Sequence, residues 1–194
     1  MQRPRRSATS LPRGAAEHLR VQTSDALALR RASEGDLEAI AAIYNQGIED
    51  RVATLETEPK SRDEIEQWWQ QHDDYYAVIV AVERGTVIGW ASLNRFSGRC
   101  AHAEIADVSV YVERDFRGRG VGFALLSELE REARRNGLRK LVLHALDGNE
   151  QGRRLYGKAR FREVGVFREH GRIDGRYVDV VAMERMLTGP EAGL

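Results

Sequence analysis

Apolar residues recur along this chain with two different periods, and these periods predict a mixture of helices and strands. Leu37, Ile40 and Tyr44 follow helical spacing, whereas Val108 and Val110 alternate with polar neighbours, as in a strand. The predicted helices span Asp36–Glu49, Arg62–Gln71, Phe123–Arg135 and Glu150–Lys158. The predicted strands span Ala26–Arg31, Tyr75–Glu83, Thr86–Asn94, His102–Val112, Arg139–Leu146 and two further strands within Glu163–Arg185.

Turn and cap residues set the limits of these elements. Arg84-Gly85 and Asp174-Gly175 each separate two strand-like runs, which predicts two hairpins. Ser33, with Asp36 three residues later, resembles a capping box, and Asn136-Gly137 ends the third helix. The order β-α-α-β-β-β-α-β-α-β-β predicts one mixed α/β domain, because the strict βαβ alternation of a doubly wound sheet is missing.

Composition limits the domain organisation, the cellular location and the partners to be expected of this chain. We expect one domain at residues 27–188, a disordered extension at residues 1–26 and a tail at residues 189–194. An Arg-rich transit peptide stays open as an alternative for the extension. Thirty basic and thirty acidic residues cancel, so no net charge favours nucleic acid or a membrane surface. The longest apolar run, Ala77–Val82, is too short to cross a bilayer. The single cysteine, Cys100, cannot form an internal disulfide, which indicates a cytoplasmic protein.

A glycine-rich segment, Arg117–Gly122, joins the strand end Val110–Val112 to a predicted helix. Such a junction binds anions, since free backbone N–H groups and the helix dipole converge on them. A Walker loop would need Lys and Ser or Thr after its last glycine, where Phe123 stands. A dinucleotide fingerprint would need a small residue at Phe123 and a carboxylate about 20 residues further on, where Lys140 lies.

Arg117, Gly120 and Gly122 instead fit the pattern Arg/Gln-x-x-Gly-x-Gly/Ala after a strand. This pattern resembles the pyrophosphate-binding motif of the GCN5-related N-acetyltransferases (GNAT), and the resemblance extends over residues 29–187. Further segments are similar to the phosphinothricin and arsinothricin N-acetyltransferase branch; they are Ile43–Glu49, Arg51–Thr54, Thr57–Pro59, Phe96–Arg99, Ser109–Val112 and Gly171–Val181.

The resemblance implies the GNAT fold, with a mixed, mostly antiparallel sheet flanked by helices. It also implies a homodimer that uses acetyl-CoA as co-substrate and needs no metal. The implied reaction acetylates the α-amino group of a glutamate-like amino acid such as phosphinothricin, methionine sulfone, methionine sulfoximine or arsinothricin. Two alternatives stay open: acetylation of another amine (a protein N-terminus, a polyamine or an aminoglycoside), and a non-catalytic acyl-CoA sensor.

The same resemblance supplies the cofactor-binding candidates at the strand end, in the glycine loop and before the last short helix. They are Val110, Tyr111, Val112, Arg117, Gly118, Arg119, Gly120, Val121, Gly122 and Asn149. Asn149 also suits an ordinary helix N-cap, and the two roles are compatible.

Two residues are candidates for catalysis, which requires an amine that loses its proton, donors for the oxyanion and a proton for the thiolate. Asp107 is the candidate base, since a carboxylate within a β-rich run opposes local propensity. Related enzymes usually carry glutamate there, so the shorter aspartate favours relay through water; a structural ion pair is the alternative. The resemblance makes Tyr156 the candidate general acid, with a core tyrosine beside Leu155 and Phe161 as the alternative.

Arginine forks suit phosphinate, arsinate and carboxylate groups, because each accepts paired N–H bonds. The resemblance makes Arg51 and Arg99 the candidates for substrate binding, with a solvated surface role as the alternative for each. His102 is a third candidate, at a position where related enzymes often carry tyrosine. His144 and His170 are interpreted as structural, and no Cys/His cluster has metal-ligand spacing.

Overall fold

A computed structural model describes residues 26–187, so the predicted extension, apart from its last residue, and the predicted tail lie outside the described residues. The helices are α1 (Leu37–Glu49), α2 (Arg62–Trp69), α3 (Val121–Arg135) and α4 (Glu150–Lys158). The strands are β1 (Ala28–Arg31), β2 (Val78–Glu83), β3 (Thr86–Arg95), β4 (Ile105–Val112), β5 (Lys140–Leu146), β6 (Arg162–Ile173) and β7 (Arg176–Met186). This order of elements is the one predicted.

The described strands form a single seven-stranded sheet in the order β1-β2-β3-β4-β5-β7-β6. The pair β4 and β5 is parallel, and the other neighbouring pairs are antiparallel. The predicted α/β fold, with a mixed and mostly antiparallel sheet flanked by helices, is therefore confirmed. None of the described helices has the length and apolar character needed to cross a membrane.

Helices cover both faces of the sheet. On one face, Leu125 and Leu129 of α3 are fully buried against the sheet. On the other face, Ile40 of α1 and Ile65 of α2 pack against Trp90 of β3. Strand β4 serves both layers by alternation, as its sequence predicted: Ala106 and Val108 join the α3 side, and Tyr111 joins the α1 side.

Both predicted hairpins are present with two-residue turns. Arg84 and Gly85 have φ of 51° and 81°, and Asp174 and Gly175 have φ of 46° and 80°. Positive φ at both central residues is the type I′ geometry, whose twist matches that of the flanking strands. The turns therefore fix the register of β2 with β3 and of β6 with β7.

Two predicted boundaries were wrong at the ends that adjoin the site. Helix α3 begins at Val121, not at Phe123, because Gly120 has φ of 86° and forms the left-handed N-cap directly before it. Strand β4 begins at Ile105, not at His102, which ends a short 3₁₀ turn that starts at Cys100.

Asp36 joins the start of α1 to β1. Its carboxylate accepts a hydrogen bond from the Ser33 backbone N–H at 2.8 Å, which is the reciprocal bond of the predicted capping box. The same carboxylate accepts two hydrogen bonds from the Arg30 guanidinium, each at 2.7 Å. The Arg30 hydrogen bonds, together with those from Ser33, lower the pKa of Asp36 to about 2, although burial acts in the opposite direction. The charged form is therefore favoured in the folded protein.

We expect Asp36→Asn to lower the free energy of unfolding by about 2 kcal/mol at pH 7, with Asp63→Asn on the exposed face of α2 as the control. Because the folded pKa of Asp36 is depressed, this contribution is present above the ordinary carboxyl pKa and is lost as the pH falls through about 2. Urea unfolding of both variants at pH 7 and pH 3 measures the difference. An equal effect of the two substitutions would contradict the assignment.

Candidate active site

The two parallel strands β4 and β5 separate in the middle of the sheet. Their ladder pairs Ile105, Ala106 and Asp107 with β5 and ends at the pair Asp107–Val142. Beyond this pair β4 continues to Val112 without a ladder partner on the β5 side, which leaves backbone N–H and C=O groups directed into the gap. A strand edge inside a sheet is therefore available to an extended ligand.

A cleft of about 300 Å³ occupies this gap. One wall is Val110–Val112 of β4, the other is α4 with Leu155 and Tyr156, and the floor is the glycine loop with Phe123. Of the ten predicted cofactor contacts, eight line the cleft: Val110, Tyr111, Val112, Arg117, Gly118, Gly120, Gly122 and Asn149. The predicted constellation is thus assembled in one place, and its contacts with a cofactor stay predictions.

The glycine loop presents an open backbone surface. Gly118 and Gly120 have φ of 75° and 86°, and a Cβ added at either position would meet no heavy atom within 4 Å. The first N–H groups of α3 follow directly and have no partner within the helix. The loop therefore has the room and the donors that a pyrophosphate requires.

Arg117 holds this loop in place. Its Nε donates to the Val112 carbonyl at 3.0 Å, and its Nη1 contacts the Asp50 carboxylate at the end of α1 at 2.5 Å. Burial would raise the pKa of Asp50, but hydrogen bonds from Arg117 and Arg114 keep it below its ordinary value. The motif arginine thus positions the loop, whereas the Arg119 guanidinium lies over the Phe116 ring, 4.9 Å from its centre.

Helix α4 contributes cleft residues that the sequence analysis did not single out. Arg154 and Lys158 lie one helical turn apart and both line the cleft, so two cations accompany the glycine loop. Their spacing was visible in the sequence, but the orientation of α4 was not. Asn149 caps this helix by accepting the Gly152 N–H at 2.8 Å, which confirms the N-cap interpretation.

Asp107 faces a histidine that the sequence analysis set aside as structural. His144 Nδ1 lies 3.5 Å from Asp107 Oδ1, across the point where β4 and β5 separate. The hydrogen bond with Asp107 raises the pKa of His144, against the effect of burial. Asp107 thus has the partner that its alternative interpretation, a structural ion pair, required. Neither residue lines the cleft, but Asp107 is close enough to the wall residue Tyr156 for its charge to act on that hydroxyl.

Tyr156 lies on the cleft wall near Asp107. Burial, with the negative charge of Asp107, raises its pKa to about 12. The ring also packs edge-on against Phe161, with 6.1 Å between ring centres, so the core interpretation is confirmed as well. Its hydroxyl is protonated at neutral pH and can donate a hydrogen bond into the cleft.

Among the described residues, no contact joins the three predicted substrate residues to the Asp107–His144 pair. Arg51 donates to the Thr57 carbonyl at 2.6 Å and lies 3.5 Å from the Asp174 carboxylate, in the hairpin turn of β6 and β7. His102 Nδ1 lies 2.7 Å from the Ser97 hydroxyl in the loop between β3 and β4. Arg99, in the same loop, is exposed.

No cluster of three or more His, Cys, Asp or Glu side chains that could hold a metal ion occurs within residues 26–187. The glycine loop and the two α4 cations fit the pyrophosphate and phosphate groups of a coenzyme A ester.

The fold and this cleft define an acetyltransferase. Residues 40–161 match the model of the family described as "Acetyltransferase (GNAT) family", and the chain belongs to that family. It is an N-acetyltransferase that uses acetyl-CoA, in agreement with the GNAT resemblance of its sequence.

Its relatives include small-molecule acetyltransferases. Phosphinothricin N-acetyltransferase of Streptomyces coelicolor is 32% identical over 82% of this chain and 95% of its own length. L-methionine sulfoximine/L-methionine sulfone acetyltransferase of Pseudomonas paraeruginosa is 28% identical over 80% of this chain and 92% of its own length. A similar solved structure is the crystal structure of a GNAT superfamily phosphinothricin acetyltransferase from Sinorhizobium meliloti in complex with acetyl-CoA. It matches with a TM-score of 0.79 and 31% identity, and the match covers 87% of this chain and 95% of that one.

We expect Gly120→Glu to weaken acetyl-CoA binding about 100-fold, or about 2.7 kcal/mol, because a carboxylate then occupies the open side of the loop. Gly137→Glu is the matched control, since Gly137 also has positive φ and open space around its Cβ but lies outside the cleft. Titration calorimetry measures both affinities. Equal losses in the two variants would show that backbone strain, not the loop surface, is responsible.

A second prediction concerns pH. If neutral His144 accepts the proton of the acceptor, kcat/KM rises as the pH passes through the raised pKa of His144. Asp107→Asn removes the cause of that raised pKa, so the rising limb of the pH profile moves to lower pH. The same substitution reduces the plateau of kcat/KM about 100-fold. The Asp107–His144 ion pair stabilises the fold at pH values below the ordinary histidine pKa. This stabilisation is lost as the pH rises through the raised pKa of His144. Rate profiles between pH 5 and 9 test this, with His170→Gln as the control. An unmoved limb in Asp107→Asn would exclude the pair.

Proposed function

We propose that this enzyme acetylates the α-amino group of a small amino acid of the phosphinothricin and methionine sulfone or sulfoximine class in the cytoplasm, and so inactivates a toxic analogue. The observation that carries this proposal is the Asp107–His144 pair, whose carboxylate is close enough to the cleft residue Tyr156 for its charge to act on that hydroxyl. In the proposal, a small amine bound beside Tyr156 exchanges protons with this carboxylate and imidazole. Relatives with such substrates support the class of acceptor.

In the proposed reaction the acceptor enters as an ammonium and first loses a proton to the Asp107–His144 pair through water. The amine nitrogen then attacks the thioester carbonyl carbon, and a tetrahedral oxyanion forms. Collapse breaks the C–S bond, and the nitrogen loses a second proton as the amide forms. One proton reaches the sulfur and one is released, so an ammonium and a thioester become an amide, a thiol and H⁺.

Tyr156 acts in this reaction as a hydrogen-bond donor to the sulfur. Its pKa of about 12 lies well above the ordinary thiol pKa of about 8.5, so complete proton transfer from Tyr156 to the thiolate is unfavourable. A hydrogen bond still stabilises the charge that develops on the sulfur. The general acid expected at this position is therefore better described as a charge-stabilising donor, with the amine protons neutralising the thiolate.

The predicted substrate residues take different parts in this proposal. Arg99 is exposed in the loop that leads into β4, and β4 begins two residues before Asp107. This position suits capture of the α-carboxylate of the acceptor. His102 steadies that loop through Ser97. Arg51 joins the α1–α2 loop to the Asp174 turn and so positions the cleft entrance without contacting the acceptor.

A homodimer through the β6–β7 hairpin is part of the proposal. Strand β6 is the edge of the sheet, and most of its residues are exposed. Val164 is 57% exposed and Tyr177 is 65% exposed, with Val166 and Phe167 also at the surface. A long exposed edge strand is normally covered, and a second copy would cover both this edge and its apolar side chains. Sedimentation equilibrium measures whether the chain dimerises.

Thiol release from acetyl-CoA tests the acceptor class. We expect turnover with phosphinothricin, methionine sulfone or methionine sulfoximine at kcat/KM at least about 100-fold above that for spermidine or an N-terminal peptide. Product mass should increase by one acetyl group on the α-nitrogen. Turnover confined to spermidine or the peptide would refute the acceptor class, and tight acetyl-CoA binding without turnover of any amine would favour a sensor.

A further inference from the structure

Asn94 of β3 is the cross-strand neighbour of the proposed base. It pairs with Asp107 in the antiparallel ladder of β3 and β4, so the two side chains project from the same face of the sheet. Side chains of such a pair stand close together, with about 5 Å between their Cβ atoms. Asn94 therefore borders Asp107 on the β3 side, whereas His144 of β5 borders it on the other side.

Four partners surround the amide of Asn94. Its Nδ2 donates to the Ser109 hydroxyl at 3.1 Å and to the Asp107 backbone carbonyl at 3.4 Å. Its Oδ1 accepts from the Ser92 hydroxyl at 3.1 Å and lies 3.0 Å from His72 Nε2. An amide has two N–H groups and two carbonyl lone pairs, so every hydrogen-bonding position of this one faces a partner. Rotation of the Asn94 side chain would separate it from all four.

The partners on the β3 side are themselves held in place. Ser92 is fully buried within the sheet. The ring of His72 lies 4.3 Å from the Trp68 ring between centres, and its Nδ1 lies 2.8 Å from the Trp68 carbonyl in α2. The amide of Asn94 is thus attached to β3, to β4 and to the chain that follows α2. Because these attachments come from three elements, they restrict the amide to one position.

This amide sits where β4 separates from β5. The ladder to β5 ends at the pair Asp107–Val142, so beyond this pair β4 is held by strand pairing on the β3 side only. Asn94 Nδ2 contacts both the last paired residue and Ser109, two residues further on. The side chain therefore adds a link between β3 and β4 at the point where β4 loses its other neighbour.

A fixed Asn94 limits the directions open to the Asp107 carboxylate. A carboxylate that turned toward β3 would need the space that the Asn94 amide occupies, and the amide cannot yield without losing its partners. The opposite direction leads to β5, where Asp107 Oδ1 lies 3.5 Å from His144 Nδ1. The amide contacts the backbone of Asp107, which leaves the carboxylate to its imidazole partner.

Neighbouring charged and titratable groups on this side of the sheet have partners of their own. Glu184 of β7 pairs with Lys140 of β5 at 2.7 Å and also contacts the Arg162 guanidinium of β6. His170 stacks on a phenylalanine of its own strand, with 4.7 Å between ring centres. Tyr156 of α4 has a pKa of about 12 and is neutral. The direction of the base carboxylate is thus set by its two immediate neighbours across the strands.

We propose that Asn94 is a positioning residue, which holds β4 where it leaves β5 and directs the Asp107 carboxylate toward His144. Neither Asn94 nor its partner His72 was a candidate in the sequence analysis. The inference rests on the proposed function, because it assigns a supporting residue to the pair that carries out the proposed proton transfers. Asn94 acts through Asp107 and takes no part in the transfers.

Imidazole resonances test this role independently of turnover. The chain has five histidines, and His144→Gln identifies the His144 signals in ¹⁵N-labelled protein. The hydrogen bond with Asp107 raises the pKa of His144, so a carboxylate that turns away lowers it again. We therefore expect Asn94→Ala to move the titration of His144 to lower pH. Asn94→Ser, which is also too short to reach the four partners, serves if Asn94→Ala does not fold, and the same shift is expected.

Asn136→Ala is the matched control for this titration. Asn136 Nδ2 donates to the backbone carbonyls of Asp74 and Tyr75, both at 2.9 Å, so it is also an amide that fixes backbone, but outside the cleft. We expect it to leave the His144 titration in place. An unchanged His144 titration in a folded Asn94 variant would overturn the inference, and so would an equal shift in Asn136→Ala.

Kinetics provide the second measurement. We expect Asn94→Ala to lower kcat about tenfold while the Kd for acetyl-CoA stays unchanged, because the base is displaced and the cofactor cleft is left intact. Asn136→Ala should change neither quantity. If Asn94→Ala weakened acetyl-CoA binding as much as it lowered kcat, the substitution would have disturbed the whole site, and the positioning role would be refuted.

The titration and the turnover assay together separate this inference from the proposed function. A shifted His144 titration in Asn94→Ala, with no turnover of any amine by the wild type, would support the positioning role and refute the proposed function. An unchanged titration, with turnover of phosphinothricin or methionine sulfone by the wild type, would overturn the positioning role and leave the proposed function standing.

Discussion

The separation of β4 from β5 after the pair Asp107–Val142 is the constraint on which the rest of this site depends. Backbone groups of β4 beyond that point have no β5 partner, and such groups are tolerated only where a ligand or water can satisfy them. The gap is flanked by α4 and closed below by the glycine loop. Unpaired backbone groups in the sheet thereby become a surface that is open to an extended ligand.

Charge is placed locally in this protein, since the whole chain carries a formal net charge of zero. Asp50 holds Arg117 and with it the loop, and the α4 cations Arg154 and Lys158 line the same cleft. Elsewhere in the site, burial, with a smaller contribution from the Asp107 charge, raises the pKa of Tyr156, and the hydrogen bond with Asp107 raises the pKa of His144. One carboxylate therefore influences the protonation of both candidate groups.

Much of the fold could be predicted because it depends on local rules. Two-residue turns, the capping box at Ser33 and the alternation of β4 are all written in short stretches of sequence, and all were confirmed. The predicted helix start at Phe123 was wrong because the left-handed conformation of Gly120 lets α3 begin earlier. The pairing of His144 with Asp107 was not predicted, because it depends on a parallel register with β4 that no local pattern encodes.

The sequence by itself determined the family, the order of elements and the glycine loop between β4 and α3, since these depend on residue types at fixed short spacings. Only the tertiary structure decided which side chains face one another across distant segments. It paired Asp107 with His144, turned Arg51 toward Asp174 and set the amide of Asn94 against the Asp107 carbonyl. These relations depend on strand register and helix packing, which bring residues together from far apart in the chain.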